Sequence, residues 1–468
     1  MTLTRQSATQ ILADLSAGRL SAAELMQATL ARIEAVNPQV NAIVALRDPD
    51  DLMAEAQAAD SGPRRGPLHG LPIAVKDLVD VAGIVSSHGS PVLAGNLPKV
   101  DDLIAARMRA AGAILIGKTN VPEFGLGSHT FNPVYGATAN PYDPALSCGG
   151  SSGGAAVALA TGMTALADGS DMMGSLRNPA AWNNVYGFRP GWGLVPSEPR
   201  GDTFLHQLAT LGPMARSPED IALLLDVIAG PDPRQPHGTP HVPVAPLAPC
   251  NPKGMRIGWL GDWGGAFAME AGVLELCESA LKVFGDLGAH VETVAPPFSA
   301  TAIWDSWITL RSWQVGAGLA PMMAQPAQRA KLKDSALWEA ERGLAMGAME
   351  VHRASVIRSD WFRRAAQLFE DYDALVLPTA QVWPFDVNQP WPTAIAGRAM
   401  DTYHRWMEVV VPISLLGLPA LAAPAGFGAK GLPMGIQIFG RRGSDAQMLA
   451  LGAAYHAATG WPQKRPAM

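Results

Sequence analysis

The sequence predicts an α/β fold, because short apolar runs alternate with amphipathic helical segments along the chain. Residues 73–75 and 113–116 are apolar runs, and between them residues 101–111 place apolar side chains at helical spacing. A strand, a helix and a second strand in this order favour parallel pairing of the two strands. The same alternation returns in the second half of the chain, at residues 255–294.

The chain is long enough to bury a large core, with 468 residues of which 48% are apolar. Only the proline-rich connector at residues 231–252 has the composition of a domain boundary, and predicted strands lie on both sides of it. We therefore predict one large domain over residues 1–468. Residues 300–410 form a helical elaboration rich in tryptophan, which we expect to cover one face of that domain.

Individual elements follow from local signals. Ser21 and Glu24 have the spacing of a helix capping box, which predicts a helix that begins at residue 22. Apolar periodicity and flanking glycines and prolines indicate the other elements. The further helices are predicted at residues 49–59, 155–167, 218–229, 272–287 and 445–458, and the further strands at residues 255–259, 290–294, 374–377, 420–423 and 435–439.

Charge and composition exclude several classes of function. Lys and Arg number 35 and Asp and Glu 41, which gives a net charge of −6 without any basic run. Such a surface disfavours binding to nucleic acid or to an anionic membrane. Residues 409–429 carry no charge, but their prolines and glycines indicate buried strands and turns rather than a membrane span.

The cysteines and the N-terminus point to a cytoplasmic protein. The three cysteines (Cys148, Cys250 and Cys277) lie far apart, which is typical of a reduced environment rather than a disulfide framework. The first ten residues lack the apolar core of a signal peptide. The 10 histidines form no ligand-spaced pair, so the sequence predicts neither a metal site nor another cofactor.

The chemistry is concentrated in residues 148–190, which contain two stretches rich in glycine and serine, 149–154 and 169–175. Glycines at this density let the backbone approach a ligand closely and leave N–H groups free to point inward. The two stretches also carry four candidate nucleophiles, which a simple binding loop would not need. These are Ser151, Ser152, Ser170 and Ser175.

Two arrangements can activate such a serine. The first is a nucleophile elbow, whose pattern Gly-x-Ser-x-Gly is matched by residues 149–153 and by the frame centred on Ser152. An elbow needs a strand before it, however, and the sequence of residues 140–147 does not predict one. The other arrangement uses a lysine. Lys76 ends an apolar strand, and a lysine removed from water loses its proton more readily and becomes a base. Ser–Lys pairs of this kind are an established form of nucleophilic catalysis.

Several segments resemble the amidase signature family, in the same order along the chain. The similarity extends from about residue 8 to residue 460, which makes an accidental match improbable. The matching segments are LHGLPIAVKD (68–77), AAGAILIGKTNVPEF (110–124), GGSSGG (149–154), GSDMMGSLRNPA (169–180), GPMAR (212–216), DYDALVLP (371–378) and GLPMGIQ (431–437). The resemblance implies an α/β/α domain around a mixed, twisted central sheet.

The resemblance also implies a Ser–Ser–Lys triad. Ser175 occupies the position of the nucleophile, and Lys76 that of the terminal base. Ser151 occupies the position of the bridging serine, whose preceding peptide bond, from Gly150, is cis in the family. Ser152 would then support the site.

The loop around the nucleophile has further implied roles. Ser170 would support the site, and Asp171 and Arg177 would brace the loop. Backbone N–H groups would stabilise the oxyanion of the reaction. The implied donors are those of Met172, Met173, Gly174 and Ser175.

One position departs from the family pattern. The family commonly has two glycines before the nucleophile, where this chain has Met173 and Gly174. The thioether of Met173 either lines the substrate pocket as an adaptable apolar wall or points into the core, and the sequence leaves both alternatives open.

The sequence thus predicts a serine hydrolase that cleaves amide C–N bonds, acting on small-molecule amides with apolar or aryl groups. The aromatic side chains of residues 300–410 favour such substrates, and Phe124, Phe131 and Trp182 are further candidates for the pocket. Carbamate or ester hydrolysis on the same triad is one alternative. Another is the glutaminase subunit of a tRNA-dependent amidotransferase, and a third is a binding module without activity. A homodimer is a further possibility.

Overall fold

In the computed structural model, which describes residues 3–468, helices and strands alternate along the chain as the sequence predicts. The helices are α1 (Ala8–Ser16), α2 (Ala22–Val40), α3 (Pro49–Ser61), α4 (Leu103–Ala110), α5 (Gly153–Thr161), α6 (Arg177–Trp182), α7 (Pro218–Ile228), α8 (Val273–Asp286), α9 (Ala300–Met323), α10 (Pro326–Arg329), α11 (Asp334–Leu344), α12 (Ala348–Asp371), α13 (Val411–Leu416) and α14 (Asp445–Thr459). The strands are β1 (Ile43–Val44), β2 (Pro72–Lys76), β3 (Ile114–Thr119), β4 (Phe131–Asn132), β5 (Gly136–Ala137), β6 (Leu166–Asp171), β7 (Tyr186–Arg189), β8 (Thr210–Ala215), β9 (Arg256–Trp259), β10 (His290–Thr293), β11 (Ala374–Pro378), β12 (Ala394–Ile395), β13 (Arg398–Ala399), β14 (Ala420–Phe427) and β15 (Pro433–Phe439).

The central sheet has eight strands in the order β10-β9-β11-β15-β14-β7-β8-β6. Strand β9 is parallel to both neighbours, β10 and β11, and the other pairs are antiparallel, so the sheet is mixed. Strands from both sides of the connector at residues 231–252 belong to it. A smaller sheet, β1-β3-β2, contains the parallel pair β2 and β3 that the strand–helix–strand pattern predicts.

The capping box predicted at the start of α2 is present. The Glu24 N–H donates to Ser21 Oγ at 3.1 Å, and the Ser21 N–H donates to Glu24 Oε2 at 2.8 Å. These two bonds satisfy N–H groups that have no partner within the first turn of a helix. The local signal therefore places the start of this helix correctly.

The helix predicted over residues 155–167 is shorter than expected. Helix α5 ends at Thr161 because Gly162 adopts a φ of +77°, the left-handed conformation that commonly terminates a helix. The chain then enters β6, which pairs with β8. The second glycine-rich stretch, residues 169–175, is thus partly a strand, and its turn begins only after Asp171.

Four of the eight tryptophans of residues 300–410 are buried in the protein rather than facing a substrate. Trp304, Trp307, Trp361 and Trp406 are at most 4% exposed and belong to the main hydrophobic core. Helices α9 to α12 do form a helical elaboration, but strand β11 follows them within the same segment. The apolar stretch 409–429 contains α13 and the whole of β14. None of the helices described in residues 3–468 is long and apolar enough to span a bilayer.

Candidate active site

Three serine hydroxyls surround the amine of Lys76, which is the last residue of β2. Its Nζ donates to Ser151 Oγ at 2.9 Å, to Ser152 Oγ at 2.7 Å and to Ser170 Oγ at 2.9 Å. Ser151 and Ser152 precede α5, and Ser170 lies near the end of β6. The fold therefore brings together a strand end and both glycine-rich stretches around one lysine.

Burial changes the acidity of this lysine. Lys76 is completely buried, and desolvation lowers its pKa to about 7, against the opposing charges of Asp168 and Asp171. Asp168 lies directly behind it, accepting a hydrogen bond from the Lys76 backbone N–H at 2.9 Å. Near neutral pH a substantial fraction of Lys76 is therefore the free amine, which can accept a proton.

The peptide bond between Gly150 and Ser151 is cis, as the resemblance implies. Gly150 lies close to a neighbouring segment, since a Cβ at this position would be 2.9 Å from Thr130 Oγ1. Ser128 Oγ donates to the Gly150 carbonyl at 2.5 Å. A side chain at this position would displace the Thr130 hydroxyl, so the segment around Gly150 is tightly packed.

Ser175 lies on the tight turn between β6 and α6. Gly174, immediately before it, has a φ of +80°, which glycine adopts without strain. The Ser152 N–H donates to the Ser175 carbonyl at 3.3 Å, which joins the two glycine-rich stretches. The side chains of Ser151 and Ser175 both line the cavity described below.

The backbone donors near Ser175 differ from the prediction at one position. The Gly174 N–H donates to Asp171 Oδ1 at 2.8 Å, so the expectation that it faces an oxyanion is wrong in this structure. The left-handed turn at Gly174 directs that N–H back towards β6. Within residues 3–468, the N–H groups of Met172, Met173 and Ser175 have no protein acceptor and remain available to a substrate.

Asp171 and two arginines hold the loop. Arg177 donates to Asp171 through Nε at 2.9 Å and Nη2 at 3.0 Å, and Arg189 donates through Nη1 at 3.2 Å. All three side chains are fully buried. Burial alone would raise the pKa of Asp171, but the charges of Arg177 and Arg189 hold it well below its ordinary value. Sequence reasoning anticipated Arg177 but missed Arg189, which lies on β7, away from the glycine-rich stretches.

Replacing Asp171 by Asn is expected to destabilise the fold by about 3–5 kcal/mol, because it leaves two buried guanidinium groups without a counter-charge. Chemical denaturation measures this loss. Glu292→Gln is the matched control, since it breaks an ion pair with Arg256 that is about half exposed. Exposed pairs contribute at most about 1 kcal/mol. Equal losses in the two variants would contradict the bracing role of Asp171.

A cavity of about 310 Å³, which we call the catalytic cavity, contains the candidate nucleophile. Apart from two glycines, the serines and one arginine, its walls are apolar. It is lined by Leu78, Phe124, Gly125, Leu126, Ser151, Ser170, Met172, Ser175, Ala209, Arg311, Val315, Gly318 and Leu319.

The lining decides between the alternatives that the sequence left open. Met172 faces the cavity, whereas Met173 is 3% exposed and belongs to the core, so its thioether does not form the pocket wall. Phe124 lines the cavity as suggested, and Phe131 and Trp182 do not. No tryptophan of residues 300–410 lines it either, so these side chains do not contribute the preference for apolar or aryl substrates. Arg311 was not identified from the sequence, because no motif surrounds it.

Known proteins resemble the chain over nearly its whole length. A family model described as Amidase matches residues 24–449. An acylamidase from Rhodococcus erythropolis is 34% identical over 476 residues, which cover 98% of this chain and 97% of that protein. A glutamyl-tRNA(Gln) amidotransferase subunit from Chloroflexus aurantiacus is 35% identical over 485 residues, covering 97% of this chain and 96% of that protein.

The comparison with solved structures points to the same family. A bacterial aryl acylamidase of the amidase signature family superposes with a TM-score of 0.91 at 28% sequence identity, covering 98% of this chain and 99% of that one. The predicted fold and the prediction of an amide-hydrolysing enzyme are thereby confirmed. With the family model matching most of its length, the chain belongs to the amidase family.

Proposed function

We propose that this enzyme hydrolyses amides of apolar acyl or aryl groups, with Ser175 as nucleophile, Ser151 as proton relay and Lys76 as base. The observation that carries the proposal is the hydrogen bond between the buried Lys76 amine and Ser151 Oγ, at the wall of the cavity that also contains Ser175. A fully buried lysine is unfavourable for stability, which suggests that it is kept for its chemistry.

In the acylation step, Ser175 Oγ forms a bond to the carbonyl carbon of the amide. Its proton passes to Ser151 Oγ, and the Ser151 proton passes to the neutral amine of Lys76. The carbonyl π bond opens, and the electron pair moves to the oxygen. The N–H groups of Met172, Met173 and Ser175 stabilise this oxyanion, each donor contributing about 10²–10³ in rate.

The C–N bond then breaks as the carbonyl re-forms. The leaving amine takes a proton from Ser151, which recovers one from the Lys76 ammonium. Water attacks the acyl-enzyme ester with the same proton relay, releases the carboxylic acid and restores Ser175. Protonation of the leaving nitrogen is essential for an amide, because an amine anion is a very poor leaving group.

The walls of the catalytic cavity favour an apolar substrate over glutamine. Leu78, Leu126, Val315 and Leu319 present aliphatic surface. Among the described residues that line the cavity there is neither an Asp nor a Glu. The α-ammonium group of glutamine would therefore enter without a counter-charge, which is costly for a buried cation. We accordingly prefer an acylamidase to a glutaminase subunit.

The test is a substrate panel built on one aryl core: a primary carboxamide, an anilide, a carbamate and an ester, together with glutamine. We expect the carboxamide or the anilide to have the highest kcat/KM relative to its uncatalysed hydrolysis. A lead for the carbamate or ester would redirect the function to those bonds. Turnover of glutamine alone would favour the amidotransferase alternative.

The dependence of kcat/KM on pH is a second test, which reports on Lys76. The base must be neutral, so we expect kcat/KM to rise with pH through an apparent pKa of about 7. In Asp168→Asn one negative charge beside the lysine is lost, so the pKa of Lys76 falls and the rise moves to lower pH. A profile that is flat between pH 6 and 8, or a shift to higher pH in the variant, would contradict the role of Lys76.

The assembly and the compartment stay predictions. Cys148, Cys250 and Cys277 are free thiols, consistent with a reducing cytoplasm. We propose that the enzyme acts on small-molecule amides without a companion chain, as a monomer or homodimer. Light scattering of the purified protein distinguishes the two, and activity without any added protein tests the independence.

A further inference from the structure

One charged side chain stands in the otherwise apolar part of the catalytic cavity. Arg311, on α9, lines the cavity and is only 3% exposed. Its Nε donates to Glu339 Oε1 at 2.8 Å, and its Nη2 donates to Tyr403 Oη at 2.8 Å. The Tyr403 hydroxyl in turn donates to Glu339 Oε2. These three hydrogen bonds close a ring that fixes the plane of the guanidinium.

The third nitrogen of the guanidinium has a much poorer partner. Its Nη1 lies 3.5 Å from Met172 Sδ, and a thioether is a weak acceptor. Met172 itself lines the catalytic cavity, whereas Glu339 and Tyr403 do not. Nη1 is therefore the end of the guanidinium that lies at the cavity. A buried charged donor without a strong acceptor is energetically unfavourable. Nε and Nη2 have strong acceptors, and Nη1 has none in the described part of the chain.

We propose that Arg311 Nη1 binds a single hydrogen-bond acceptor on an otherwise apolar amide substrate, such as an ether or ketone oxygen remote from the scissile bond. The inference deepens the proposed function and rests on it. Met172 and Val315 would contact the apolar body of the substrate, while Arg311 fixes its orientation.

The occupied positions of the guanidinium indicate why the group is one neutral acceptor atom rather than a carboxylate. A carboxylate binds arginine best through two parallel N–H bonds. Here the Nε–Nη2 edge is already engaged by Glu339 and Tyr403, and Nη1 is the one nitrogen of the three without a strong acceptor within residues 3–468. Glu339 also balances the charge of Arg311 at 2.8 Å, so an additional buried anion at Nη1 would face a cation that is already neutralised.

Matched substrates test this in the wild-type enzyme. We would compare 3-(4-methoxyphenyl)propionamide with 3-(4-ethylphenyl)propionamide, and the 4-methoxyphenyl and 4-ethylphenyl analogues on the amine side of a secondary amide. Each pair exchanges an ether oxygen for a methylene of similar size. For at least one pair we expect the ether to have a KM about tenfold to a hundredfold lower, with little change in kcat, since the bond forms in both ground and transition states.

Variants then assign the preference to Arg311. Arg311→Lys keeps the charge beside Glu339 but lacks the third nitrogen, so we expect the ether-to-methylene ratio to fall to about one. The double variant Arg311→Met/Glu339→Gln removes both charges together, and it gives the same readout if the lysine variant folds poorly. Arg358→Lys is the control, because Arg358 lies on α12 outside the cavity, and it should keep the wild-type ratio.

Binding to the Ser175→Ala protein separates this inference from the proposed function. Calorimetry with the same pairs measures the preference without turnover. If the wild type hydrolyses amides but both pairs give ratios near one, the inference about Arg311 is overturned and the function stands. If no amide is hydrolysed while the ether still binds more tightly, the function fails and the acceptor site stands. A ratio that survives in both Arg311 variants also overturns the inference.

Discussion

Replacing Ser175 by Ala is expected to lower kcat by about 10⁶-fold, the scale of loss when the nucleophile of a serine hydrolase is removed. The alanine protein cannot form the acyl-enzyme, so only the residual effects of binding and oxyanion stabilisation remain. The turn at Gly174 and the bracing of Asp171 by Arg177 do not depend on the hydroxyl, so the fold should be retained. Steady-state kinetics on an anilide measures the loss.

Covalent labelling sharpens this test. A sulfonyl fluoride should add one mass adduct to the wild-type protein and none to Ser175→Ala. Ser306→Ala is the matched control, because Ser306 is a buried serine whose Oγ donates to the Ala354 carbonyl, away from the cavity. It should keep the adduct and activity within a few-fold. Retained labelling in Ser175→Ala, with loss in Ser151→Ala or Ser152→Ala, would move the nucleophile to the first glycine-rich stretch.

Replacing Lys76 by Met has the second largest expected effect, and it affects activity and stability in opposite directions. Loss of the general base should lower kcat/KM by about 10²–10⁴-fold. Methionine has a similar length and no charge to desolvate, so the midpoint of thermal unfolding should stay the same or rise. Lys76→Arg should be as inactive as Lys76→Met, because a guanidinium remains protonated at any pH the enzyme tolerates.

Lys118→Met provides the comparison for this pair of variants. Lys118 is the neighbouring buried lysine on β3, and its Nζ donates to the Val79 carbonyl and to Ser86 Oγ rather than to the serines around Lys76. Its removal should change kcat/KM by less than about tenfold, below the usual range for loss of a general base. Comparable losses of activity in Lys76→Met and Lys118→Met would indicate a general structural effect and contradict the assignment of Lys76 as base.

The parts of the fold that the sequence predicted are those with a local physical signal. The capping box at Ser21 and Glu24 sets the start of α2 through bonds between residues three apart. The prediction of the parallel pair β2 and β3 needed only the order of apolar runs around α4. The positions of Lys76, Ser151 and Ser175 came from a motif, and the structure places all three at one site.

Other details depend on packing that no local pattern encodes. Met172 and Met173 are adjacent and chemically identical, yet only the first faces the catalytic cavity, because the turn after β6 directs the second into the core. The Gly174 N–H donates to Asp171 and is therefore not an oxyanion donor, and the turn that directs it there contains a positive φ at Gly174. The tryptophans of residues 300–410 suggested contacts with a substrate, but four of them bury their large apolar side chains in the main core.

The position of Arg311 in the cavity could not be predicted from the sequence of its helix either. Apolar residues are spread around α9, so periodicity does not indicate which face meets a substrate. The face of α9 that points to the cavity is determined by its packing against α11, whose backbone lies very close to that of α9. A Cβ added at Gly343 would lie 1.9 Å from the Ser312 carbonyl oxygen, and one added at Gly316 would lie 3.0 Å from the Gly343 Cα. Two glycines far apart in sequence therefore set the orientation of Arg311.

This close crossing of α9 and α11 has a consequence for how the enzyme can change. The reactive serines and Lys76 come from residues 76–175, whereas Arg311, Val315 and Leu319 come from a helix more than a hundred residues further along the chain. Substitutions at these three side chains leave both glycines of the crossing and every proton-transferring group intact. Libraries randomised at Val315 and Leu319, which carry no charge, should therefore yield catalysts with new substrate ranges, whereas Arg311 has to be exchanged together with its buried partner Glu339. The groups that transfer protons and the apolar part of this wall can therefore be altered independently of each other.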